Sequence, residues 1–207
     1  MDVILSTRNK GKAEQINAMF AGTSIRVISL EEAGIKGDVK EDGKTLRDNA
    51  EKKSWFAWRH SQDKWIVSED TGLFIDALGG EPGVDTAYWG GDKKLDRKLD
   101  PELLRDFAIE QIKQIPPELR WATWRTVAVV RAPGGSLSVF EGEAHGTLLV
   151  EPRGKMQQGM PYSQIFIPDG TDKTWSELAE VSLDLENSFS HRGKAFAKVR
   201  EFLLSQI

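Results

Sequence analysis

The most informative segment of the chain is Val67-Ser68-Glu69-Asp70-Thr71-Gly72-Leu73. It continues the apolar run Trp65-Ile66-Val67. An apolar run that ends in two acids, a hydroxyl and a glycine predicts a strand that delivers carboxylates into a cleft. Adjacent carboxylates repel each other unless solvent, a basic neighbour or a divalent cation neutralises them. These residues alone leave two interpretations open, a hard-metal site or a solvated acidic turn.

Length and composition favour a single cytoplasmic domain. The 207 residues can bury one sizeable core, and no Pro/Gly/Ser-rich linker divides them, so we expect one domain over residues 1–207. The absence of cysteine excludes disulfides and thiolate metal sites and fits a reducing cytoplasm. No segment has the pattern of a signal peptide, and no apolar run approaches the roughly 18 residues of a membrane span. We therefore expect a cytoplasmic protein with no membrane partner.

Charge argues against a nucleic-acid-binding module. The formal net charge is −4, whereas nucleic-acid backbones are held mainly by clustered Lys and Arg. The tryptophans lie among apolar strand or helix positions, so core packing is the expected use for most of this set: Trp55, Trp58, Trp65, Trp121, Trp124 and Trp175.

The N-terminal segment predicts a strand, a polar loop and a helix. Residues 3–5 form the strand, residues 6–12 the loop, and Ile16, Met19 and Phe20 recur at helical spacing. Such a loop directs backbone N–H groups and side-chain donors towards the helix N-terminus, where phosphate is favoured. The loop lacks the glycine pattern of a P-loop, so this signal alone is weak.

A second strand is predicted over residues 25–30, followed by a helix that Thr45 caps with the help of Asp48. Lys53 lies in line with the apolar positions Leu46, Ala50 and Ala57 of this helix. A lysine there is costly unless its ammonium reaches solvent or meets an anion, and reaching solvent is the commoner outcome.

Two further helices, a hairpin and a short strand are predicted in the second half of the chain. The patterns predict a helix from Asp100 to Ile115, a hairpin of residues 124–131 and 136–142, a strand over 165–167 and a helix over 174–181. Ser190 is expected to cap a last helix. Its first turn holds His191 and Arg192, where the helix dipole disfavours cations. Either a ligand offsets that cost, or this is a solvent-exposed capping region.

Taken together, these motifs resemble the inosine triphosphate pyrophosphatase family over most of the chain. No single motif is decisive, but the ordered set is specific. The resemblance is carried by Ser6-Thr7-Arg8-Asn9-Lys10-Gly11-Lys12 (family pattern T-x-N-x-x-K), Glu41, Asn49-Ala50-Glu51-Lys52-Lys53 (N-A-x-x-K), Glu69-Asp70-Thr71-Gly72-Leu73 (D-D-S-G-L), Asp76-Ala77-Leu78-Gly79-Gly80-Glu81-Pro82-Gly83-Val84, Pro152-Arg153-Gly154, Ile165-Phe166-Ile167-Pro168-Asp169-Gly170, Lys173-Thr174 and Ser190-His191-Arg192.

The resemblance implies an α/β fold with a long twisted mixed sheet and two lobes around a central cleft, usually in a homodimer. It also implies Mg²⁺-dependent hydrolysis of a nucleoside triphosphate to the monophosphate and pyrophosphate. Non-canonical purine nucleotides such as those of inosine and xanthosine are the substrates that classical members favour.

The same resemblance assigns roles to residues of the first half of the chain. The triphosphate would be held by Thr7, Asn9, Lys12, Lys53 and Thr71. Magnesium would be bound by Glu41 and Asp70, which offer hard oxygen ligands. Asp70 would orient or deprotonate the attacking water, with Glu69 as a second catalytic acid. Glu69 is a further candidate magnesium ligand, but it stands where the family usually has Asp, and its longer side chain leaves that ligand role open. Metal and lysines together would spread the charge of the transferring phosphoryl group.

The predicted base-binding residues depart from the family. They are Met160, Tyr162, Ser163, Glu186, His191 and Arg192. The family pattern G-F-G-Y-D-P is replaced by Gly159-Met160-Pro161-Tyr162-Ser163-Gln164, which removes a stacking ring and a carboxylate. Glu186 stands where the family usually has Lys, and an ionised Glu accepts hydrogen bonds whereas Lys only donates them. Either Glu186 reads an amino-bearing base, or it points to solvent and selectivity is classical.

A non-catalytic nucleotide-binding or sensor protein on the same fold is the alternative function. The presence of Glu41, Asp70, Lys12 and Lys53 argues against it, because a protein that only binds nucleotide has no need of paired metal acids.

Overall fold

A computed structural model describes all residues from Met1 to Ile207. It confirms the α/β class with a mixed sheet. The strands are β1 (Asp2–Leu5), β2 (Arg26–Ser29), β3 (Trp65–Ile75), β4 (Pro82–Gly83), β5 (Trp121–Arg131), β6 (Leu137–Leu148) and β7 (Phe166–Pro168). The helices are α1 (Lys10–Phe20), α2 (Leu46–Trp58), α3 (Pro101–Ile112), α4 (Trp175–Val181), α5 (Leu183–Phe189) and α6 (His191–Leu204). None of the helices combines the length and the apolarity that a membrane span requires.

The sheet contains both parallel and antiparallel pairs. Its strand order is β2-β1-β3-β5-β6-β7, and β4 pairs with β3 outside this path. β1 is parallel to β2 and to β3, with Val3 opposite Trp65 and Leu5 opposite Val67. β3 with β4 and β6 with β7 are antiparallel.

The chain divides into two compact units. The first contains residues 1–70, 126–142 and 192–207, and the second contains residues 71–125 and 143–191. The boundaries fall within or next to β3, β5, β6 and α6 rather than in linkers. The assignment of the whole chain to one domain remains a prediction.

In the first unit, α1 and α2 begin where their capping side chains predict. Asn9 caps α1 by accepting a hydrogen bond from the Lys12 N–H. Thr45 and Asp48 form a reciprocal capping box at the start of α2, which confirms the sequence prediction. Ile16 of α1 packs with β1 and α6 residues in one buried cluster, and Phe56 and Ala57 of α2 pack in another. Both clusters also contain residues of β1 and β3, so α1 and α2 pack against these strands.

In the second unit, one buried cluster joins β3 to α3 and α4. Leu73, Leu104, Trp124, Phe166 and Trp175 are among its members. Thr174 and Glu177 form the capping box of α4. The following helix, α5, was missed in the sequence, although Ser182 caps it by accepting from the Leu185 N–H. α4 has the same length, but it begins with a capping box, whereas the N3 position of α5 is Leu185 and cannot complete one.

The acidic pair lies inside a strand, which corrects the sequence prediction of a strand ending at Val67. β3 continues through Glu69 and Asp70 to Ile75, and the two acids are only 1% and 6% exposed. The solvated acidic turn is therefore wrong. Charged residues can continue a buried strand when cations from other elements neutralise them.

Other sequence predictions need smaller corrections. Trp55 and Trp121 are 46% and 49% exposed, so neither is a core residue. α3 ends at Ile112 rather than at Ile115, which packs against the core from beyond the helix. The His191 and Arg192 side chains are 3% exposed each, so the start of α6 is not a solvent-exposed cap.

The pairing of β6 with β7 predicts that Gly146→Ala destabilises the protein. A Cβ at Gly146 would lie 2.1 Å from the backbone oxygen of Ile167, which cannot move without breaking the strand pair. We expect a loss of about 1–3 kcal/mol in the free energy of unfolding, measured by urea titration. Gly134→Ala is the matched control, because a Cβ there meets nothing within 4 Å. Equal stabilities of the two variants would contradict the observed strand register.

Candidate active site

The loop before α1 places its polar side chains at a helix N-terminus. Asn9 caps the helix, and the Thr7 hydroxyl accepts a hydrogen bond from the Asn9 N–H at 3.3 Å. The first turn of α1 contains no acidic residue, so its positive dipole end is not neutralised by the helix itself. The Ser6 hydroxyl donates to the backbone oxygen of Lys53 at 2.9 Å, which ties this loop to α2.

Lys53 brings Glu41 and Asp70 together. Its Nζ lies 2.9 Å from Glu41 Oε2 and 3.0 Å from Asp70 Oδ1, and the lysine is 9% exposed. The ammonium therefore contacts two carboxylates and does not reach solvent. Of the two outcomes considered for this lysine, the commoner one is wrong. Asn49 Nδ2 donates to the other oxygen of Asp70, Oδ2, at 3.0 Å.

Glu69, which points to the face of β3 opposite to Asp70, pairs with two cations. Its Oε1 is 2.7 Å from Lys12 Nζ, and its Oε2 is 3.9 Å from Arg192 Nε. Arg192 Nη1 also donates to Gln15 Oε1, which is buried. Burial alone would raise the pKa of Glu69, but Lys12, Arg192 and Lys53 together hold that pKa well below its ordinary value. Glu69 is therefore a buried, ionised partner of these cations.

The acids and lysines of this site shift one another's pKa values. Burial raises the pKa of Asp70 above its ordinary value, and Glu41 acts in the same direction against the opposing effect of Lys53 and Lys12. Burial would lower the pKa of Lys53, but Asp70, Glu41 and Glu69 raise it above its ordinary value. Burial lowers the pKa of Lys12, although Glu69 opposes that shift. A carboxylate with a raised pKa is better suited to accept a proton than an ordinary surface Asp.

The Glu41 and Asp70 carboxylates fit a divalent cation. The single ammonium of Lys53 contacts both of them, so two hard oxygen donors already converge on one positive charge. No group of three His, Cys, Asp or Glu side chains forms a complete metal cage in the chain. Mg²⁺ does not need one, because it is usually held by one or two carboxylates together with substrate phosphates and water.

In the second unit, two tryptophans surround His191. The His191 ring is stacked on Trp124 at 5.3 Å between centroids and lies 5.0 Å from the ring of Trp175. The indole N–H groups of both tryptophans are buried and have no hydrogen-bond partner. The two rings packed against His191 therefore each carry an unused hydrogen-bond donor.

The predicted base-binding residues before β7 are largely engaged with the protein. The Tyr162 hydroxyl donates to the Thr86 backbone oxygen at 3.0 Å, and its ring packs edge-on against Trp124. The Ser163 hydroxyl donates to the Met160 backbone oxygen and accepts from Ser176, both at 2.8 Å. Tyr162 and Ser163 thus shape the turn that presents Met160.

Glu186 is buried, with 1% exposure, so the interpretation in which it points to solvent is wrong. Its Oε2 accepts a hydrogen bond from Gln157 Nε2 at 2.9 Å. Gln157 Oε1 is buried without a partner. The pair therefore presents hydrogen-bond acceptors.

Some residues of these clusters were missed in the sequence analysis. Asn49 belongs to the quoted N-A-x-x-K motif, and its spacing of four from Lys53 was the available signal, since such residues share a helix face. Gln157, Trp124 and Trp175 gave no such signal, because their partners are distant in sequence. Thr71 follows Asp70 directly but belongs to the second unit.

Comparison with known proteins identifies relatives over nearly the whole chain. The Ham1 family model matches residues 3–202. A dITP/XTP pyrophosphatase of Caldanaerobacter subterraneus subsp. tengcongensis is 35% identical over 205 residues, which cover 99% of this chain and 97% of that protein. A dITP/XTP pyrophosphatase of Geobacter sulfurreducens is 35% identical over 201 residues, covering 97% and 96% of the two chains.

A solved structure agrees with these relatives. The Ham1 protein of Staphylococcus aureus superposes with a TM-score of 0.79 at 26% identity, and the match covers 100% of both chains. The resemblance inferred from the ordered motifs is thereby confirmed. With a family model that spans nearly every residue and relatives above 30% identity at full length, this chain belongs to the Ham1 family.

Proposed function

We propose that this protein hydrolyses non-canonical purine nucleoside triphosphates, such as dITP, ITP and XTP, to the monophosphate and pyrophosphate. The observation that carries the proposal is the convergence of Asp70 and Glu41 on Lys53, with Glu69 and Lys12 paired beside them. This combination offers carboxylates for a metal and a proton together with cations for phosphate. The names of the full-length relatives, dITP/XTP pyrophosphatase, support the same reaction.

In this proposal, the cations of the first unit hold the triphosphate. Lys12 and Lys53 exchange their carboxylate partners for phosphate oxygens, and the Thr7 and Asn9 region offers donors at the α1 N-terminus. Thr71 contributes a hydroxyl donor. The negative charge that develops on the transferring group is then spread over preorganised cations, which is the main contribution expected in phosphoryl transfer.

Asp70 acts as the group that orients and deprotonates the attacking water. Its raised pKa suits a general base, and Asn49 holds its Oδ2 while Lys53 turns to phosphate. Glu69 is assigned to the same centre, where it pairs with Arg192 and, until phosphate binds, with Lys12.

Mg²⁺ is the proposed cofactor, held by Glu41 and Asp70. When bound, it would neutralise phosphate charge and polarise the phosphoryl oxygens. We also propose that the protein is a homodimer that acts in the cytoplasm, where nucleoside triphosphates are its substrates. Mass measurement of the native protein in solution tests the dimer, and a monomer would contradict it.

Base recognition is proposed for Glu186, His191 and Arg192 with the turn at Met160, Tyr162 and Ser163. The buried Glu186 can accept a hydrogen bond from the ring N1–H of a 6-oxo purine or from an exocyclic amino group. The donors around His191 suit an oxo group. These two features together favour a base that carries both a ring N–H and an oxo group.

A substrate panel tests base and reaction together. With dITP, XTP, dATP and dCTP as substrates, we expect kcat/KM for dITP and XTP to exceed that for dATP and dCTP by about 10²-fold or more. Adenine and cytosine have an unprotonated ring nitrogen in place of the ring N–H and an amino group in place of the oxo group. The acceptor Glu186 and the donors near His191 would then each meet a group of their own kind. A preference for amino-bearing bases would instead assign Glu186 to amino recognition. Nucleotide binding without turnover of any substrate would favour the sensor alternative.

A further inference from the structure

Asn49 links Asp70 to the loop that carries Glu41, the other acid proposed to bind metal. It is 2% exposed in α2, and its Nδ2 donates to Asp70 Oδ2 at 3.0 Å while its Oδ1 accepts from the Gly43 N–H at 2.8 Å. Only one orientation of the amide satisfies both bonds, because the carboxylate requires a donor and the N–H requires an acceptor. The side chain therefore connects β3 to the loop that carries Glu41, and both ends of its amide are engaged.

Lys53 makes a parallel connection from the same face of the helix. It lies four residues after Asn49, and its ammonium contacts Glu41 Oε2 and Asp70 Oδ1. Asp70 is thus held through different atoms by the two residues, Oδ1 by the ammonium and Oδ2 by the amide. The loop is held at Glu41 by Lys53 and at Gly43 by Asn49.

The two connections differ once a cation arrives. A divalent cation competes with the Lys53 ammonium, since both seek the same carboxylate oxygens. The neutral amide of Asn49 does not compete, because it uses Asp70 Oδ2 and a backbone N–H. Asn49 can therefore keep its contacts when Lys53 gives up Glu41 and Asp70.

We propose that Asn49 is a positioning residue that holds Asp70 and the Glu41 loop at the spacing required by the divalent cation. The inference rests on the proposed function and deepens it. Hydrogen-bond partners of metal ligands typically change metal affinity or activity by about 10–100-fold when removed.

The test measures Mn²⁺ binding by electron paramagnetic resonance to protein saturated with a non-hydrolysable α,β-methylene analogue of dITP, which supplies the phosphate oxygens, with the signal of the analogue alone subtracted. Asn49→Ala is expected to weaken Mn²⁺ binding by about 10–100-fold and to lower kcat to a similar extent, with KM for the nucleotide little changed. Gly43→Ala perturbs the same amide from its other end, because the new Cβ would lie 2.6 Å from Asn49 Oδ1. It is expected to weaken Mn²⁺ binding in the same direction, and it carries the test if Asn49→Ala does not fold.

Ser54→Ala is the matched control. Ser54 is a fully buried polar residue of the same helix, its hydroxyl donates to the Glu51 backbone oxygen at 2.8 Å, and it contacts neither acid. Mn²⁺ dissociation constants that are equal in all three variants would overturn the inference, as would a wild-type protein that binds no Mn²⁺. Loss of the proposed function looks different, since the wild type would then release no pyrophosphate from any nucleotide.

Discussion

Asp70→Asn should reduce kcat for pyrophosphate release by about 10²–10⁴-fold, the range expected when a general base is removed. The substitution keeps the size of the side chain but removes the carboxylate that lies 3.0 Å from Lys53 and accepts from Asn49. Release of pyrophosphate is measured at saturating dITP and Mg²⁺. The fold should persist, because burial raises the pKa of Asp70 and its ionised form therefore costs folding free energy at neutral pH.

Asp42→Asn is the matched control for this loss of activity. Asp42 is an exposed acid next to Glu41, and it pairs with Lys52 rather than with the cluster. The same chemical change there should leave kcat near the wild-type value. An Asp70→Asn variant as active as Asp42→Asn would remove Asp70 from the reaction.

Glu69→Gln should have the largest effect on stability. Glu69 is 1% exposed and is the carboxylate partner of Lys12 and Arg192, so a neutral amide leaves two cations without a counter-charge. Removing one partner of a buried ion pair typically costs about 3–5 kcal/mol, and we expect a loss of that order in the free energy of unfolding at pH 7. Urea titration at several pH values measures it.

The pH dependence of that loss has a defined sign. The pKa of Glu69 is held below its ordinary value of 4.5, so its ionised form stabilises the fold above that pH. The stabilisation is lost as the pH falls through the depressed pKa of the folded state. The difference in the free energy of unfolding between wild type and Glu69→Gln should therefore be largest at neutral pH. It should decrease as the pH falls below 4.5.

Glu143→Gln provides the comparison with an exposed pair. Glu143 lies 2.9 Å from Arg125, and both side chains are more than two-fifths exposed. Solvent screens such a pair, so its loss should cost no more than about 1 kcal/mol. Equal costs for Glu69→Gln and Glu143→Gln, or a difference that grows in acid, would contradict the burial of Glu69 among cations.

Local signals in the sequence predicted the elements best. Thr45 and Asp48 are three residues apart, and their capping box sets the start of α2 without help from the rest of the fold. Thr174 does the same for α4. The short helix α5 was missed because its N3 position is Leu185, so its cap Ser182 forms no capping box of the kind that marks α4.

The environment of the acids could not be predicted from local pattern. Glu69 and Asp70 continue β3 because Lys12, Lys53 and Arg192 neutralise them, and these cations come from three other elements. Periodicity cannot supply such partners, so the strand was predicted to end too early. The ordered motifs did gather these residues into one site, but the proton and metal roles assigned to them remain predictions.

The proposed triphosphate- and metal-binding residues were easier to predict from the sequence than the proposed base-binding residues. Lys12, Lys53 and Asp70 match motifs whose chemistry is readable from residue type. The role of Glu186 could not be predicted until its burial and its hydrogen bond with Gln157 were known. The same carboxylate exposed on the surface would not contact a base.

Phosphorus NMR of the products formed from dITP and Mg²⁺ tests the central claim most directly. Cleavage between the α and β phosphates predicts dIMP and pyrophosphate in equal amounts with the wild type, and formation of both about 10²–10⁴-fold more slowly with Asp70→Asn. Release of orthophosphate and the diphosphate, or dITP that stays bound and uncleaved, would contradict the proposed pyrophosphatase reaction.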